Sequence, residues 1–313
     1  MNKITLKMVT RTQGNNRALK AGEITMPDFC CAFEEVNPLP RAFRKMVREQ
    51  AYDVSEMALT TYITARAYGV PITALPIFLV RDFHHKAIVT SKKSAVTSAK
   101  ALEGQNVGVS RGYTVTTGVW ARSILAEEHG VDLSQVTWLR SDEEHVPDWR
   151  MPTHVKDLTG EQSLEEQLAQ GTLASAVGLV ASDATRTLIA DPFAAGLSAL
   201  KARGFYPINH LIVVRDELLA ELPDLAQQIF DAFSASKQSY LGDLKSGRMT
   251  DLTAADKTNL AVLDVLGDPL PYGLAPNVDI LNHLMEQVVA QGIIDAPIAL
   301  EDLFAPQTHN LVG

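Results

Sequence analysis

The clearest signal for the fold lies in the stretch YDVSEMALTTY, residues 52–62. The run Val54–Leu59, mostly apolar but containing Ser55 and Glu56, has the length of a buried strand, and it passes directly into a segment with helical spacing, Thr60–Tyr68. A second apolar run follows at Ile72–Val80. Because strands alternate with helices in this way in α/β proteins, the stretch predicts an α/β fold.

The same alternation continues along the rest of the chain. Further strands are predicted at Ile4–Val9, Phe29–Phe33, Ala87–Thr90, Val107–Ser110, Val136–Leu139, Ala174–Val180 and Leu211–Val214. Further helices are predicted at Pro38–Gln50, Thr116–His129, Ser163–Gln170, Pro192–Arg203, Leu222–Leu244, Ala254–Leu266 and Val278–Gln291. Ser163 and Glu166 have the spacing of a capping box, and Gly292 stands where a helix C-terminal glycine is expected.

Length and composition bound the class of protein. At about 150 residues per domain, 313 residues predict two domains, and 46% hydrophobic with 21% charged residues is typical of a globular protein. The 28 basic and 37 acidic residues give a formal charge of −9. Nucleic-acid binders need a basic face, so this balance argues against nucleic acid as a partner.

Cysteine usage and the hydropathy pattern bear on location. The only cysteines, Cys30 and Cys31, are adjacent, so they form no disulfide framework and lack zinc-site spacing. Lys7 and Arg11 interrupt any signal-peptide run near the N-terminus. No apolar stretch approaches the ~18 residues of a membrane span. We therefore expect a soluble cytoplasmic protein with no membrane partner.

Two loops stand out beside the regular elements. Gln13–Asn16 directly follows the first predicted strand, which is where ligand-contacting loops lie in α/β sheets. The acidic segment Ser141–Gly160 lacks periodicity and is predicted to form a loop or flap.

Several motifs resemble one enzyme family, and they keep their order along most of the chain. YDVSEMALTTY (52–62) is similar to the strand-to-helix signature of the 4,5-dihydroxyphthalate decarboxylase family. LPIFLVRDFHH (75–85) resembles its apolar strand ending in an Arg-x-Phe-Arg-His turn, and GFYPINH (204–210) resembles its Phe-Pro-Ile-Met-His turn. GDPLPYG (267–273) and EDLFAP (301–306) resemble its closing motifs.

The resemblance implies a type II periplasmic-binding-protein-like fold, in which two α/β lobes are joined by crossing strands and the ligand lies in the cleft between them. On that analogy residues 1–90 and 209–313 form lobe 1, and residues 91–208 form lobe 2.

The resemblance also implies an activity, the non-oxidative decarboxylation of a dihydroxylated aromatic dicarboxylate, with 4,5-dihydroxyphthalate giving protocatechuate and carbon dioxide. The chain departs from the family pattern at His84, where arginine is usual, at Lys86, where serine is usual, and in the loop Ser110–Tyr113. These departures lie in the expected pocket, so the substrate could differ while the reaction class stays the same.

Decarboxylation of such an acid needs a proton donor at the ring carbon, a base near the phenol and a clamp for the retained carboxylate. Arg81 is the candidate clamp, because guanidinium pairs with carboxylate through two hydrogen bonds; a structural arginine is the alternative. His85 and His210, in the family-like turns, are the candidates for proton transfer. Glu56 would accept a phenolic proton or orient a histidine; otherwise it is a charge at a helix N-terminus.

Five further residues are candidate substrate contacts. Ser55 would bond the ligand or cap the following helix. Thr116 and Thr117 open a predicted helix whose free amides suit a carboxylate, although threonines cap helices in many proteins. Tyr113 and Tyr272 would stack on an aromatic ligand or cover the cleft.

Neither a metal nor a cofactor is expected. Asp82, His84 and His85 are close in sequence, but neighbours in an extended segment point to opposite faces. The expected partner is a small aromatic carboxylate, and the sequence leaves open whether the chain forms a homo-oligomer. Two alternatives remain: a solute-binding protein for a small aromatic carboxylate, since fold alone does not decide function, and a related lyase on the same fold.

Overall fold

A computed structural model describes residues 3–313, so the first two residues of the predicted lobe 1 lie outside the described residues. The strands are β1 Ile4–Val9, β2 Phe29–Glu34, β3 Val54–Ala58, β4 Ile72–Arg81, β5 Ile88–Ser91, β6 Asn106–Val109, β7 Thr137–Arg140, β8 Val155–Asp157, β9 Ser175–Val177, β10 Thr185–Thr187 and β11 Ile208–Arg215. The helices are α1 Arg17–Lys20, α2 Pro40–Glu49, α3 Leu59–Ala67, α4 Thr116–His129, α5 Leu164–Gln170, α6 Pro192–Arg203, α7 Asp216–Glu221, α8 Leu225–Lys245, α9 Ala254–Leu266, α10 Val278–Ala290 and α11 Leu300–Leu303.

The chain divides into two compact units, and each contains one sheet. Unit 1 comprises the described part of Met1–Asp82 with Ile208–Asn282 and Ile298–Gly313. Unit 2 comprises Phe83–Pro207 and His283–Pro297. The predicted lobes differ from this division at residues 83–90 and 283–297, which belong to unit 2, and at Ile208, which belongs to unit 1. The first of these segments includes β5, which pairs with β9 and β10, and in the second Gln291 binds Arg122 of α4.

Unit 1 is built on a five-stranded mixed sheet in the order β2-β1-β3-β11-β4. β1 runs parallel to β2 and β3, whereas β11 is antiparallel to both of its neighbours. All five residues of β3 are buried because the strand lies in the middle of the sheet. The strand is buried on both faces although it contains the polar residues Ser55 and Glu56.

Amphipathic helices cover this sheet. α2 buries Ala42, Phe43, Met46 and Val47 against the β3 side of the sheet, and their spacing of three to four residues places them on one face of the helix. α3 and α8 contact β11 and β4, respectively. The core of unit 1 therefore lies between the sheet and these helices.

Unit 2 is built on a six-stranded sheet in the order β10-β5-β9-β6-β7-β8. β9, β6, β7 and β8 run parallel, and β5 is antiparallel to β9 and β10. α5 packs on β5, β6 and β9 through a cluster that includes Leu164, Leu168 and Ala176. The Ser163 and Glu166 side chains form the predicted capping box at the start of α5.

Sequence patterns located most elements but missed the shortest ones. Strands β8 and β10 have three residues each, too few to show a period. The predicted helix Leu222–Leu244 is α8, and α7 precedes it as a separate helix. Gly292 follows α10 with φ of 68°, a left-handed conformation that favours glycine, as predicted. Among residues 3–313, no helix has the length and apolar character needed to cross a membrane.

Candidate active site

The topology of unit 1 brings several candidate residues to one edge of its sheet. β4 is antiparallel to β11 and β11 is antiparallel to β3, so β1, β3 and β4 run in the same direction. Their C-terminal ends and the start of β11 share an edge. This edge carries the loop after β1, Glu56 in β3, Arg81 at the end of β4 and His210 in β11. Ligands bind at such edges in α/β sheets.

Glu56 and His210 form a hydrogen-bonded pair at this edge. Ile212 of β11 lies opposite Glu56, so His210, two residues away, is a diagonal neighbour on the same face. The His210 Nδ1 atom lies 2.6 Å from Oε1 of Glu56, and the Arg11 backbone N–H donates to Oε2 at 2.9 Å. The Glu56 side chain is fully buried, whereas that of His210 is 16% exposed. The carboxylate is therefore the fixed partner and the imidazole is the accessible one.

This arrangement determines which imidazole nitrogen can exchange protons. A carboxylate acceptor at Nδ1 favours the tautomer or charged form that carries hydrogen there, which leaves Nε2 for acid–base chemistry. Phe43 packs edge-on against the ring, with 5.2 Å between ring centroids. Two contacts on different sides thus orient His210. Glu56 lies inside β3, before α3 begins at Leu59, so its alternative interpretation as a charge at a helix N-terminus is wrong.

Arg81 and Tyr272 lie near this pair. Arg81 Nη2 donates to the Asn277 side-chain oxygen and to the Pro271 carbonyl, the latter at 3.4 Å. Tyr272 is fully buried, and its hydroxyl accepts a hydrogen bond from Asn15 Nδ2 at 3.2 Å. Burial, assisted by the charges of Asp268 and Glu56 and opposed by Asn15 and Arg81, raises the pKa of Tyr272 well above its ordinary value. It is therefore a neutral phenol near pH 7.

Ser55 is adjacent to Glu56 in sequence but differs from it in its contacts. Successive residues of a strand point to opposite faces, so Ser55 does not share the face of Glu56 and His210. Its side chain is fully buried, and the hydroxyl donates to the Glu56 carbonyl at 2.7 Å. Its predicted contact with substrate remains a prediction.

His85 lies in unit 2, in the 3₁₀ turn His84–Ala87 that packs against α4. Its Nε2 atom is 2.8 Å from Oε2 of Glu128, and the other oxygen of Glu128 accepts a bond from Arg203 at 2.5 Å. The His85 side chain is only 4% exposed. Burial raises the pKa of Glu128, but the His85 hydrogen bond and the charges of His85, Arg203 and His129 outweigh it, so the pKa lies below its ordinary value.

The loop before α4, which was predicted to offer its amides to an anion, already holds a carboxylate of the chain. The backbone N–H groups of Tyr113 and Thr114 donate to Glu144 at 2.6 and 3.1 Å, and the Thr114 hydroxyl donates at 2.7 Å. The donors are residues of the loop before the helix, whereas the predicted contacts, Thr116 and Thr117, lie in the first turn of α4. The occupant of the loop is a side chain from the acidic segment Ser141–Gly160.

The other candidates of this loop are packed inside unit 2. Thr116 is buried and Thr117 half-buried in the first turn of α4. Tyr113 is fully buried, with the Arg122 guanidinium 3.8 Å from its ring centroid and Trp149 stacked at 5.8 Å. Its stacking partners are thus residues of this chain, and contact of all three residues with substrate stays a prediction.

No group of three or more His, Cys, Asp or Glu side chains within residues 3–313 is arranged to hold a metal ion. The segment His84–Ala87 forms a 3₁₀ turn, so the extended geometry assumed in the argument against a metal at Asp82, His84 and His85 is wrong.

Sequence reasoning missed three contributors. The Arg11 backbone amide carries no side-chain signal, and Glu128 and Glu144 reach their partners through the fold. A signal did exist for the loop after β1, because Gln13–Asn16 follows a predicted strand. The structure connects this loop to Tyr272 through Asn15.

The chain resembles solved structures in fold. A Candida albicans protein described as having the generic periplasmic binding protein fold matches with a TM-score of 0.56 at 13% identity, covering 100% of this chain and 99% of the other. The alkanesulfonate-binding protein SsuA from Xanthomonas axonopodis pv. citri matches with a TM-score of 0.50 at 14% identity, covering 98% of both. With the two α/β units, these similarities identify a type II periplasmic-binding-protein-like fold.

No family model matches the chain. Two curated relatives do, and both are named 4,5-dihydroxyphthalate decarboxylase. The protein from Comamonas testosteroni is 26% identical over 324 aligned positions, covering 98% of each chain. The protein from Pseudomonas putida is 31% identical over 186 positions, covering 57% of this chain and 71% of the relative. On these similarities the chain belongs to the 4,5-dihydroxyphthalate decarboxylase family, whose named members are carboxy-lyases.

Proposed function

We propose that this protein decarboxylates 4,5-dihydroxyphthalate to protocatechuate and carbon dioxide. The observation that carries the proposal is the Glu56–His210 pair, in which a buried carboxylate holds a partly exposed imidazole by Nδ1. The names of the two relatives support the substrate class, and the pair supplies the acid–base group that the reaction needs.

The reaction replaces a ring carboxylate with hydrogen. In 4,5-dihydroxyphthalate each carboxylate is para to a hydroxyl, which donates electron density to the ring carbon bearing that carboxylate. Addition of a proton at this carbon removes the aromaticity of the ring. The carbon–carbon bond to the carboxylate then breaks, and its electron pair restores aromaticity as carbon dioxide leaves. The net change consumes one proton, and no electrons are gained or lost.

In this mechanism His210 is the proton donor. Protonated His210 transfers the hydrogen on Nε2 to the ring carbon, and the neutral imidazole then regains a proton from solvent. Glu56 acts as a positioning residue, because both of its oxygens are bound, one by His210 and one by Arg11. Its hydrogen bond to Nδ1 holds the ring in the orientation in which Nε2 is left for the transfer. Arg81 supplies positive charge for the retained carboxylate.

His85 is the second candidate for proton transfer, and its geometry supports it less. Its Nε2 atom is bound to Glu128, and Nδ1 is buried with no hydrogen-bond partner within residues 3–313. The His85 side chain is also less exposed than that of His210, 4% against 16%, so we assign the acid role to His210.

The test is incubation of the purified protein with 4,5-dihydroxyphthalate, with carbon dioxide and protocatechuate quantified over time. We expect equimolar formation of the two products. Folded protein that forms neither product would reject this substrate.

The same experiment addresses the alternative of a solute-binding protein, which the structural likeness to an alkanesulfonate-binding protein favours. Calorimetric titration with the same compound would show tight binding both by a decarboxylase and by a solute-binding protein. Binding without any release of carbon dioxide over hours would support the binding-protein alternative and contradict the decarboxylase.

A further inference from the structure

The loop after β1 contains two buried polar atoms without partners. The side-chain nitrogen of Gln13, Nε2, and the side-chain oxygen of Asn15, Oδ1, are buried, and neither has a hydrogen-bond partner within residues 3–313. Asn15 is only 3% exposed. Most buried polar side-chain atoms in folded proteins are hydrogen-bonded, so two exceptions within three residues require an explanation.

A loosely placed loop does not account for these atoms. A Cβ on Gly14 would approach the Tyr240 ring to 2.2 Å, so the backbone between the two residues packs directly against α8. The Asn16 side chain accepts from the Gln13 backbone N–H at 2.8 Å and donates to the Arg11 carbonyl at 2.9 Å. These contacts hold the loop in one conformation.

The orientation of the Asn15 amide is also determined. Its Nδ2 donates to the Leu79 carbonyl at 2.9 Å and to the Tyr272 hydroxyl at 3.2 Å. A flipped amide would place oxygen against the Leu79 carbonyl oxygen, which is unfavourable. Oδ1 is therefore held as an acceptor with no donor to satisfy it.

These atoms belong to the same neighbourhood as the Glu56–His210 pair. The Arg11 backbone, two residues before Gln13, binds Glu56. The charges of Glu56 and Arg81 both act on Tyr272, to which Asn15 is bonded. The loop, the acid–base pair and the arginine thus share the edge of the unit 1 sheet.

The chemistry of the two atoms indicates what they bind. Gln13 Nε2 can only donate and Asn15 Oδ1 can only accept. A carboxylate only accepts, so it would leave the Asn15 oxygen facing another oxygen. A phenolic hydroxyl both donates and accepts, and two adjacent hydroxyls offer both functions side by side.

We propose that Gln13, Asn15 and Tyr272 form a subsite for the adjacent ring hydroxyls of the substrate. Asn15 Oδ1 accepts the proton of one hydroxyl, and Gln13 Nε2 donates to the oxygen of the other. The Tyr272 hydroxyl holds the Asn15 amide in place. The subsite makes these residues determinants of specificity for dihydroxylated rings.

This inference rests on the proposed function, because the reaction places a catechol group in the site. It also adds a physical reason for the arrangement. When the ring carbon is protonated, the para hydroxyl bears partial positive charge and becomes a stronger hydrogen-bond donor. An acceptor fixed at that hydroxyl then binds the protonated ring more tightly than the ground state.

The test is calorimetric binding of 3,4-dihydroxybenzoate, 3-hydroxybenzoate and 4-hydroxybenzoate. We expect the wild-type protein to bind the dihydroxy compound about tenfold more tightly than either analogue, because an analogue leaves a buried polar group unpaired. Gln13→Glu replaces the donor by an acceptor of the same shape, and Asn15→Ala removes the other atom. Each variant should bind 3,4-dihydroxybenzoate no more than about twofold more tightly than either analogue.

Matched controls separate this effect from unfolding. Thr12→Ala changes an exposed residue of the same loop and should keep wild-type discrimination. If Asn15→Ala fails to fold, the Gln13→Glu variant alone tests the subsite. It is expected to fold because Gln13 Nε2 has no hydrogen-bond partner within residues 3–313 that the substitution would remove. Wild-type discrimination in folded Gln13→Glu would overturn the subsite, and so would equal affinities of the wild-type protein for all three ligands.

The subsite and the proposed function can fail separately. Suppose that Gln13→Glu loses the preference for 3,4-dihydroxybenzoate over the monohydroxy analogues, and that the wild-type protein releases no carbon dioxide from 4,5-dihydroxyphthalate. That result would support the subsite and reject the proposed function. If the wild-type protein releases carbon dioxide and Gln13→Glu keeps the wild-type preference for 3,4-dihydroxybenzoate, the proposed function is supported and the subsite is rejected.

Discussion

The Glu56–His210 pair of unit 1 and the Glu128–His85 pair of unit 2 are built in opposite ways. In unit 1 the glutamate is fully buried and His210 is 16% exposed. In unit 2 the histidine is 4% exposed, and Glu128, 22% exposed, also binds Arg203. The first pair fixes a carboxylate and leaves an imidazole accessible, whereas the second buries the imidazole and gives the carboxylate two partners.

This difference shows why a histidine in a recognisable turn is insufficient to identify a proton donor. Both histidines lie in motifs similar to the family's turns. An imidazole acts as an acid–base group when one nitrogen is oriented by a partner and the other can reach a ligand. Both rings are oriented by a glutamate, but the His210 side chain is 16% exposed and the His85 side chain only 4%.

A large effect that probes this contrast is expected for Glu56→Gln. The variant keeps the shape of the side chain but replaces the carboxylate that holds His210 Nδ1 by a neutral amide, which makes a weaker hydrogen bond. We expect kcat for 4,5-dihydroxyphthalate to fall by about 10²–10³-fold with KM little changed, less than the ~10⁴-fold known for a comparable substitution in a Ser-His-Asp triad.

Glu49→Gln, at the exposed end of α2, is the matched control and should keep wild-type kcat. Wild-type kcat in Glu56→Gln would show that the carboxylate does not position His210.

A smaller effect, on stability rather than turnover, is expected for His85→Asn. Loss of the bond to Glu128 should lower the free energy of unfolding by about 1–2 kcal/mol, because Glu128 keeps Arg203 as a partner. Because the buried His85 side chain acts on stability, we expect kcat to stay within about threefold of the wild-type value. Denaturant unfolding and steady-state kinetics check both statements. A kcat reduced a hundredfold in a fully folded variant would restore His85 as a catalytic residue.

The smallest effect concerns pH and Glu128. Its pKa is lower in the folded protein than in the unfolded chain, so ionised Glu128 stabilises the fold above the unfolded value, about 4.3 for glutamate. That stabilisation is lost as the pH falls through the folded value. The Tm of the wild-type protein should exceed that of Glu128→Gln at pH 7, and the difference should shrink below pH about 4. A Tm difference that stays constant down to pH 3 would contradict this.

Much of the fold followed from sequence because its signals are local. The buried run at residues 54–58 and the helix that follows it are encoded by neighbouring residues, as is the Ser163–Glu166 capping box. The chain alone could not indicate that Glu56 contacts His210, 154 positions away. That contact depends on β11 pairing antiparallel with β3 in one register, and a shift by one residue would turn His210 to the other face.

The loop before α4 illustrates a different limit. The sequence predicts that a substrate carboxylate binds where α4 begins, and that remains a prediction. The amides of Tyr113 and Thr114 instead hold Glu144, which the sequence did not indicate because Glu144 lies in an acidic segment without periodicity. Local chemistry predicts which groups are available, and tertiary structure decides what occupies them.

The central claim is that His210, held by Glu56, delivers the proton that replaces carbon dioxide. The most direct measurement is the rate of carbon dioxide release from 4,5-dihydroxyphthalate by His210→Asn beside His309→Asn, whose ring bonds only to the Phe304 carbonyl among residues 3–313. We expect kcat to fall by about 10²–10⁴-fold in folded His210→Asn and to stay at the wild-type value in His309→Asn. Wild-type carbon dioxide release by His210→Asn would contradict the mechanism.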